Sequence, residues 1–365
     1  MKITDLTSFL ESIAPLAYQE SYDNSGLIVG NPEAEITKAL ISLDCTEAVI
    51  KEAIREKCDI VISHHPIVFK GLKKFNGKNY VERAVIKAIK NDIALYAIHT
   101  NLDHINTGVN KKICDKLGLI NTRILSPKES LLKKLVVFVP VSHKEEIKNV
   151  LFSAGAGQIG NYTECSFETV GNGNYKANEK ANPFLGEKNT RHTEAEVRIE
   201  VVFSADKENK LIKAMLGVHP YEEVSYDIIS LNNTFADVGA GMIGELENAV
   251  EEIDFLKSVK NNMNAVVIRH TQLLNKLVKK VAVCGGSGSF LLQNAIRAGA
   301  DVFITADFKY HEFFDAEGKI VIADIGHFES EQFTQELLFE IIQKKFPNFA
   351  LRLTVQNTNP IKYLS

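Results

Sequence analysis

The sequence predicts an α/β fold in which two related lobes form one discontinuous domain and a ferredoxin-like unit is inserted between them. Three observations predict it. Short apolar strands alternate with helices in the first third of the chain, and a β-α-β-β-α-β pattern occupies the middle. After residue 232 the alternation of short apolar strands with helices returns. We therefore expect domain boundaries at 1–130, 131–232 and 233–365.

The first lobe is predicted from apolar runs of strand length that alternate with runs of helical period. Thr46 is a favourable N-cap for the first of these helices, and the β-branched run ending at Ser63 is typical of a strand buried on both faces. The elements expected here, in order, are strand Lys38–Asp44, helix Glu47–Lys57, strand Asp59–Ser63, helix Val81–Lys90 and strand Ile93–His99. Such an alternation favours a parallel or mixed sheet.

The middle unit has the order of a split β-α-β fold. A stretch rich in Gly, Asn and Lys, 171–189, is predicted to be a long polar loop within it. The expected elements are strand Leu135–Val139, helix Lys144–Ala154, strand Ser166–Val170, strand Glu196–Phe203, helix Lys207–Leu216 and strand Val224–Ile229.

The second lobe contains a weak internal repeat of the first. Cys58–Ser63 and Ala300–Thr305 both consist of an Asp, an apolar strand and a hydroxyl residue, and each follows a strand and a helix of similar length. The repeat indicates two related lobes, although a chance match of two buried strands is an alternative. A last strand, Lys319–Ala323, precedes a helix that is expected to run to about Lys345.

Composition excludes several classes of protein. The 365 residues carry a net charge of −4, with 42 basic and 46 acidic residues and no basic stripe, so we expect no nucleic-acid partner and no attraction to an anionic membrane. Five scattered cysteines without a CxxC pair argue against a disulfide framework or a thiolate zinc site. No signal-peptide layout and no membrane-length apolar run is present, which favours the cytoplasm.

Two adjacent histidines, His64 and His65, end a predicted buried strand. Loops beyond the carboxyl ends of parallel strands are where α/β folds place ligand sites. Imidazole is the commonest metal ligand because it is largely unprotonated at neutral pH. The alternative is a capped strand that carries two exposed histidines.

A second polar cluster, His99–His104, also follows a predicted buried strand. Its carboxylate, Asp103, is suited to bridge two cations, and carboxylate with imidazole suits Zn, Mn, Fe or Ni. An ordinary turn is the alternative, since Asn and Asp favour turns.

His327 and Glu331 are four residues apart at the start of the last predicted helix, so they share a helical face. Glu331 also lies on the apolar side of that helix, and an inward carboxylate without a partner is costly, a cost that a metal would remove. The alternative is a helix start in which the Glu serves the macrodipole.

Two further segments remain open to interpretation. Gly285–Ser289 is predicted to be a tight turn, with an anion-binding loop as the alternative. Thr305–His311 ends the repeat-equivalent strand and is suited either to substrate contact or to an ordinary polar loop.

At these residues the sequence resembles the GTP cyclohydrolase 1 type 2 homologues, also called Ngg-interacting-factor-three-like proteins. The matching segments are Tyr22–Gly30, Ser63–Pro66, His99–Asp103, Gly285–Ser289, Thr305–His311 and Gly326–Glu331. They occur in the family's order and span both outer segments. The chain departs from the pattern at Tyr22, where the family usually has Trp, and at Ala306, where it usually has Gly.

That resemblance implies a centre of two divalent metal ions in each subunit. The ligands it implies are His64, His65, Asp103, His327 and Glu331, with their division between the two ions left open. The inserted segment, notably His219–Glu223, resembles copper-tolerance-protein-A and PII-like modules, which implies a homohexameric ring and does not require copper binding.

The first functional hypothesis is a metal-dependent hydrolase of a nucleotide-like or phosphorylated small molecule. The family name implies GTP, with water opening the purine ring. Asp307 and His311 are the candidates for moving protons. Asn24, Thr305 and Lys309 are the candidates for substrate contact. The alternatives are a hexameric metal-binding scaffold or metal chaperone without chemistry, and a transcription-associated adaptor, against which the net charge counts.

Overall fold

The computed structural model describes residues 1–364 and consists of two compact units. One unit is formed by Met1–Pro127 together with the residues from Ala236 onward, and the other is Lys128–Phe235. The second unit is therefore inserted into the first.

The described chain contains both strands and helices along its whole length. The strands are β1 (Gly26–Val29), β2 (Lys38–Asp44), β3 (Ile60–His65), β4 (Ala94–Ala97), β5 (Ile120–Lys128), β6 (Leu132–Pro140), β7 (Ser166–Lys176), β8 (Arg191–Ser204), β9 (Tyr226–Leu231), β10 (Phe235–Glu251), β11 (Arg269–His270), β12 (Leu277–Ser287), β13 (Val302–Ala306), β14 (Val321–Asp324) and β15 (Ala350–Leu353). The α-helices are α1 (Ile3–Ile13), α2 (Glu47–Arg55), α3 (Tyr80–Lys90), α4 (Thr100–Asp103), α5 (Val109–Lys116), α6 (Lys144–Ser153), α7 (Glu208–Val218), α8 (Glu252–Asn262), α9 (Leu292–Arg297), α10 (His327–Glu331) and α11 (Thr334–Lys345).

The two sheets of the larger unit have the same arrangement of four strands. The first has the order β1-β4-β3-β2-β15 and the second β11-β14-β13-β12-β10-β5. In both, three neighbouring strands are parallel and the strand at one edge is antiparallel to its neighbour. The repeat noted in the sequence therefore falls on β3 and β13, the strands at equivalent positions of the two sheets.

Equivalent aspartates fix the strand register in both sheets. One carboxylate oxygen of Asp59 accepts hydrogen bonds from the backbone N–H groups of Thr37 and Lys38, at the start of β2. Asp301 accepts the same pair of bonds from Lys279 and Lys280, in β12. Because buried backbone donors need partners, these bonds explain why both copies of the repeat carry an Asp directly before the apolar strand.

Each sheet also receives a strand from the other end of the chain. β15 pairs in parallel with β2, although its residues belong to the predicted second lobe. β5 lies at the far edge of the second sheet, although the expected boundary at residue 130 puts it in the first lobe. The lobes are thus joined by strand exchange, which apolar patterning cannot reveal.

Amphipathic helices build the core beside the first sheet. Thr46 accepts a hydrogen bond from the N–H of Val49 and so caps α2, as predicted. The apolar faces of α2 and α3 pack with apolar side chains of β2, β3 and β4 in one buried cluster. This buried layer holds the carboxyl end of β3, where His64 and His65 lie, in a fixed position.

The inserted unit consists of β6, α6, β7, β8, α7 and β9, the element order expected from the sequence. Its four strands form an antiparallel sheet of order β7-β8-β6-β9. Alternate residues of β6 and β8 pack with Ile147 and Leu151 of α6 and with Leu211 and Met215 of α7, so the two helices lie on one face of the sheet.

Three local expectations were wrong. Gly171–Lys176 belongs to strand β7 and is not part of a loop. Gly285–Ser287 continues strand β12 and is not a turn. The helix expected to run to Lys345 is two helices, α10 and α11, with a break at Gln332 and Phe333. In each case contacts distant in sequence override local propensity.

Within residues 1–364, no helix has the length and apolar character required to cross a bilayer.

Candidate metal centre

The predicted metal ligands come together in the larger unit from three separate segments. His64 and His65 end β3, and Asp103 ends the short helix α4 that follows β4. His327 and Glu331 lie one turn apart on α10, directly after β14. The carboxyl ends of equivalent strands in the two sheets therefore supply the site, as the location of ligand sites in α/β folds predicts.

One group of ligand atoms consists of His65, His327 and Glu331. The Nε2 atoms of His65 and His327 lie 3.0 and 3.1 Å from the same oxygen of Glu331, Oε2, and 3.4 Å from each other. Bonds of 2.0–2.1 Å to a tetrahedral ion place ligand atoms about 3.3 Å apart. The observed spacing fits a small divalent ion held by these three side chains.

A second group shares Glu331 with the first. The Nε2 atom of His64 lies 3.5 Å from Oδ1 of Asp103 and 3.9 Å from Oε1 of Glu331. The ligand atoms of these three residues all lie within 4.8 Å of one another. Glu331 thus turns one oxygen toward each group, so the two groups adjoin along one carboxylate.

The buried ligand atoms lack hydrogen-bond partners. Among residues 1–364, Nε2 of His64, Oδ1 of Asp103 and Oε2 of Glu331 are buried without one. Glu331 is 3% exposed and His64 is fully buried. Because an unsatisfied buried polar atom is costly, buried ligand atoms without partners are expected of a site that takes a cation.

Each histidine is oriented through its other ring nitrogen. Nδ1 of His64 contacts the carbonyl oxygen of Ile98 at 2.8 Å. Nδ1 of His65 contacts Oδ1 of Asp44 at 2.8 Å, and Nδ1 of His327 contacts Oδ2 of Asp307 at 2.6 Å. With the Nδ1 proton donated to these oxygens, every Nε2 keeps a free lone pair, which is the tautomer that a metal requires.

In the protein without metal, protons on His65 and His327 supply the positive charge that cations would supply. Burial by itself lowers the pKa of His65, but the charge of Glu331 and the bond to Asp44 raise it to about 10. Burial by itself also lowers the pKa of His327, but the charge of Glu331 and the hydrogen bond to Asp307 raise it to about 11. A cation that binds here must therefore displace protons.

The two carboxylates respond oppositely to burial. Burial would raise the pKa of Glu331, but the charges of His327 and His65 outweigh it and hold the pKa well below its usual range. Burial and then the charge of Glu331 raise the pKa of Asp103 to about 7. Without a cation, the repulsion between the two carboxylates is thus reduced in two ways: Asp103 takes up a proton more readily, and Glu331 lies beside protonated histidines.

The glycine segment of β12 lies directly against the ligands. A Cβ atom on Gly286 would lie 2.4 Å from Oε1 of Glu331, and the residue has a φ of +63°. The N–H of Gly286 donates to Oγ of Ser330 on α10. Glycine is needed here because the backbone passes close to Glu331, so this part of the segment makes room for that carboxylate.

Asp307 and His311, the candidates for proton transfer, lie at different distances from the ligands. Asp307 holds the ring of His327, and the bond from His327 lowers the pKa of this carboxyl. Its left-handed backbone, with a φ of +59°, directs the side chain there. His311 is exposed, and its ring packs with Tyr310 and Phe314 away from the ligands.

None of the three candidates for substrate contact lines the cavity above the ligands. Asn24 donates to the carbonyl oxygen of Val68. Thr305 is fully buried, and its hydroxyl donates to the carbonyl oxygen of Gly286. Lys309 is exposed, and its backbone N–H donates to Glu312. Asn24 and Thr305 therefore support neighbouring backbone, and the structure assigns Lys309 no contact with the centre.

The structure adds residues that were not predicted. His99 lies beside both ligand histidines, with ring centroids 5.2 Å from those of His64 and His65, and its Nδ1 contacts Asp23 at 2.8 Å. Asp44 is opposite His65 in the β2–β3 register. The sequence could have indicated this contact, because both residues are polar and each ends an apolar strand.

A cavity of about 860 Å³ opens onto the ligands. Its wall includes His65, His99, His327 and Glu331. It is also lined by four aromatic side chains that are each about half to two-thirds exposed, namely Tyr22, Phe69, Tyr80 and Phe290. None of the described lining residues is Lys or Arg. The volume is that of a small-molecule site, and its walls offer rings for stacking.

The chain is similar to known proteins over nearly its whole length. The model of the family described as Duf34/NIF3 (NGG1p interacting factor 3) matches residues 1–360. The chain is 37% identical to a protein of Bacillus subtilis named GTP cyclohydrolase 1 type 2 homolog, over 98% of both chains. It is 35% identical to a protein of the same name from Staphylococcus epidermidis, over the full length of both.

Solved structures show the same fold. A Bacillus cereus protein related to NIF3 superposes with a TM-score of 0.83 at 36% identity, with 100% of this chain and 99% of that chain covered. Reduced HcgD from Methanocaldococcus jannaschii shares the fold alone, with a TM-score of 0.58 at 20% identity over 98% of both chains. By the extent of the family match and the identity to its relatives, the chain belongs to the Duf34/NIF3 (NGG1p interacting factor 3) family.

Proposed function

We propose that this protein binds two divalent metal ions and is a metal-dependent hydrolase of a nucleotide-like or phosphorylated small molecule. The observation that carries the proposal is the pair of ligand groups that share Glu331. In this arrangement His65 and His327 would hold one ion, His64 and Asp103 would hold the other, and Glu331 would supply a ligand oxygen to each. The ligand types suit Zn, Fe, Mn or Ni.

The chemistry follows from the donor set and the cavity. Two adjacent divalent ions, when bound, would polarise a phosphoryl or carbonyl oxygen and make a nearby water more acidic. The protein's part is to fix the imidazole rings through Asp44 and Asp307 and to bridge with Glu331. His99, held by Asp23, presents its ring to the same space as a positioned polar group for substrate.

The lining of the cavity favours a planar substrate that carries anionic groups. Aromatic side chains such as Phe69 and Phe290 offer stacking surfaces for a heterocycle. Since the described wall contains neither Lys nor Arg, the metal ions would be the cations that meet a phosphate. GTP, which the relatives' name suggests, has both features.

An assay with GTP tests this proposal. Protein loaded in turn with Zn, Mn, Fe and Ni is incubated with GTP and with p-nitrophenyl phosphate. Loss of purine absorbance reports ring opening, and released inorganic phosphate reports phosphoester hydrolysis. We expect Glu331→Gln to abolish turnover and Glu317→Gln, an exposed glutamate that pairs with Lys319, to leave it unchanged. Failure of every loaded form to turn over either compound would contradict the hydrolase proposal.

Two further expectations stand beside it as proposals. The resemblance implies a homohexamer, which light scattering on the purified chain would measure as six chain masses. A reducing, cytoplasmic setting is supported by the five cysteines, all of them unpaired thiols.

A further inference from the structure

The inserted unit contains a cavity of its own, of about 930 Å³. Along β8, Val197 and Ile199 point to the helices and are buried in the core. Since successive strand residues point to opposite faces, Glu196 and Arg198 face the other side of the sheet, where the cavity lies. The proposed hydrolase chemistry makes no use of this cavity.

A buried carboxylate lies in the wall of this cavity. Glu196 is 8% exposed, and its Oε1 accepts a hydrogen bond from the hydroxyl of Tyr221 at 2.8 Å. Within residues 1–364 it forms no ion pair, and Arg198, which shares its face, pairs with Glu200 at 3.0 Å. A buried carboxylate without a counter-charge is costly, so this wall is suited to a cation from outside the chain.

Aromatic rings surround that carboxylate. The ring centroid of Tyr221 lies 6.2 Å from that of Tyr175 and 6.4 Å from that of Phe184. The hydroxyl of Tyr175 donates to the carbonyl oxygen of Leu185, and the N–H of Tyr221 donates to Nδ1 of His219. These bonds hold the rings in place before any ligand arrives. Aromatic faces around an anionic group are the combination that recognises organic ammonium ions.

Two glycines of β7 leave room on the floor of the cavity. Gly171 lies opposite Glu196 in the antiparallel register. A Cβ atom on Gly173 would lie 2.1 Å from Oε2 of Glu196, so the carboxylate occupies the space of a missing side chain. A Cβ atom on Gly171 would meet no atom within 4 Å. The open space is therefore directly beside the buried charge.

We propose that this cavity binds a small organic ammonium ion. Glu196 supplies the counter-charge, and Tyr175, Phe184 and Tyr221 pack against the apolar body of the ligand. The buried charge of Glu196 determines the sign of the ligand, because the three basic residues of the wall, Lys176, Lys180 and Arg198, are exposed to solvent. This assignment also gives a role to Tyr221, which belongs to the His219–Glu223 segment noted in the sequence.

Benzylamine, benzyl alcohol and benzoate are suitable probes because they share a ring and differ in charge. Binding to the full chain is measured by ligand-detected NMR and calorimetry. We expect saturable binding of the benzylammonium ion, and weaker or no binding of the other two. Glu196→Gln, which keeps the shape and removes the charge, should weaken benzylammonium binding by roughly tenfold.

Two further variants keep the test independent of folding. Gly171→Leu fills the open space without a contact, so it should abolish binding while the melting temperature is unchanged. Glu187→Gln removes an exposed charge of the same unit outside the cavity and should bind as the parent does. The proposal is overturned if benzoate binds more tightly than benzylamine, if no probe saturates, or if Glu196→Gln and Gly171→Leu bind benzylamine as the parent does.

Discussion

At the scale of single residues, the centre depends on how the histidine rings are fixed. The Nδ1–H groups of His65 and His327 donate hydrogen bonds to the carboxylates of Asp44 and Asp307, respectively. The Nε2 atom of each ring is therefore the one that can bind an ion. The proposed ligand residues could be chosen from the sequence alone, because each follows a recognisable strand or shares a helical face. The sequence could not predict these partners, because they come from other segments and only the fold brings them into contact.

Asp307→Asn tests the role of one such partner. Asn tolerates the left-handed backbone at this position and keeps an acceptor oxygen, but it lacks the charge that supports His327. We expect a loss of metal affinity of about tenfold or more, measured by competition with a chromophoric chelator. Asp315→Asn, on the exposed face of the turn that follows, is the control and should bind metal normally. Unchanged affinity of Asp307→Asn would show that this carboxylate does not support the ligand.

The protons held by His65 and His327 predict how metal binding depends on pH. Because their pKa values of about 10 and 11 lie above neutrality, an ion must displace protons at pH 7, and affinity should rise with pH. Calorimetry in buffers of different ionisation enthalpy should show release of at least one proton per ion bound. Heats that do not depend on the buffer would contradict the protonated state.

The same shifts set the pH dependence of the metal-free protein. Both histidines have a higher pKa folded than unfolded, where it is about 6.5. Their contribution to the free energy of unfolding is therefore fully present below pH 6.5 and is lost as pH rises through 10 to 11.

At the scale of elements, the glycine segment of β12 and the helix α10 act together. Gly286 approaches Glu331 closely, and its N–H is bonded to Ser330 on the same helix. From the sequence this segment resembles a turn, because consecutive glycines usually mark one. The strand continues because Val281–Val283 pair with β13 and carry the backbone on to the ligands.

Gly286→Ala tests this close approach, and Gly299→Ala is its matched control. Both glycines have a positive φ, of +63° and +72°, so alanine costs about 1 kcal/mol of backbone strain at either position. A Cβ atom at 299 meets no atom within 4 Å, whereas at 286 it meets Glu331. We expect both variants to melt at lower temperature but only Gly286→Ala to lose metal, measured by elemental analysis. Equal metal content in the two variants would contradict the packing argument.

At the scale of the whole molecule, the larger unit contains two sheets that share one arrangement of four strands, and the proposed metal ligands come from both. The repeat of an Asp-led strand in the sequence predicted this relation, and Asp59 and Asp301 show its physical basis in shared backbone hydrogen bonds. The exchange of β5 and β15 between the sheets was not predictable, since each strand is placed by pairing with a distant partner. A centre that draws on both sheets should form only when both are folded.

The number of metal ions per chain tests the central claim, a two-ion centre bridged by Glu331, most directly. Elemental analysis of the metal-loaded protein should give two ions for the parent and for the control Glu317→Gln. It should give one for His327→Ala, which leaves His64, Asp103 and Glu331 in place, and less than one for Glu331→Gln, which removes a ligand from both groups. A parent that holds a single ion, or a Glu331→Gln variant that retains two, would contradict the bridged centre.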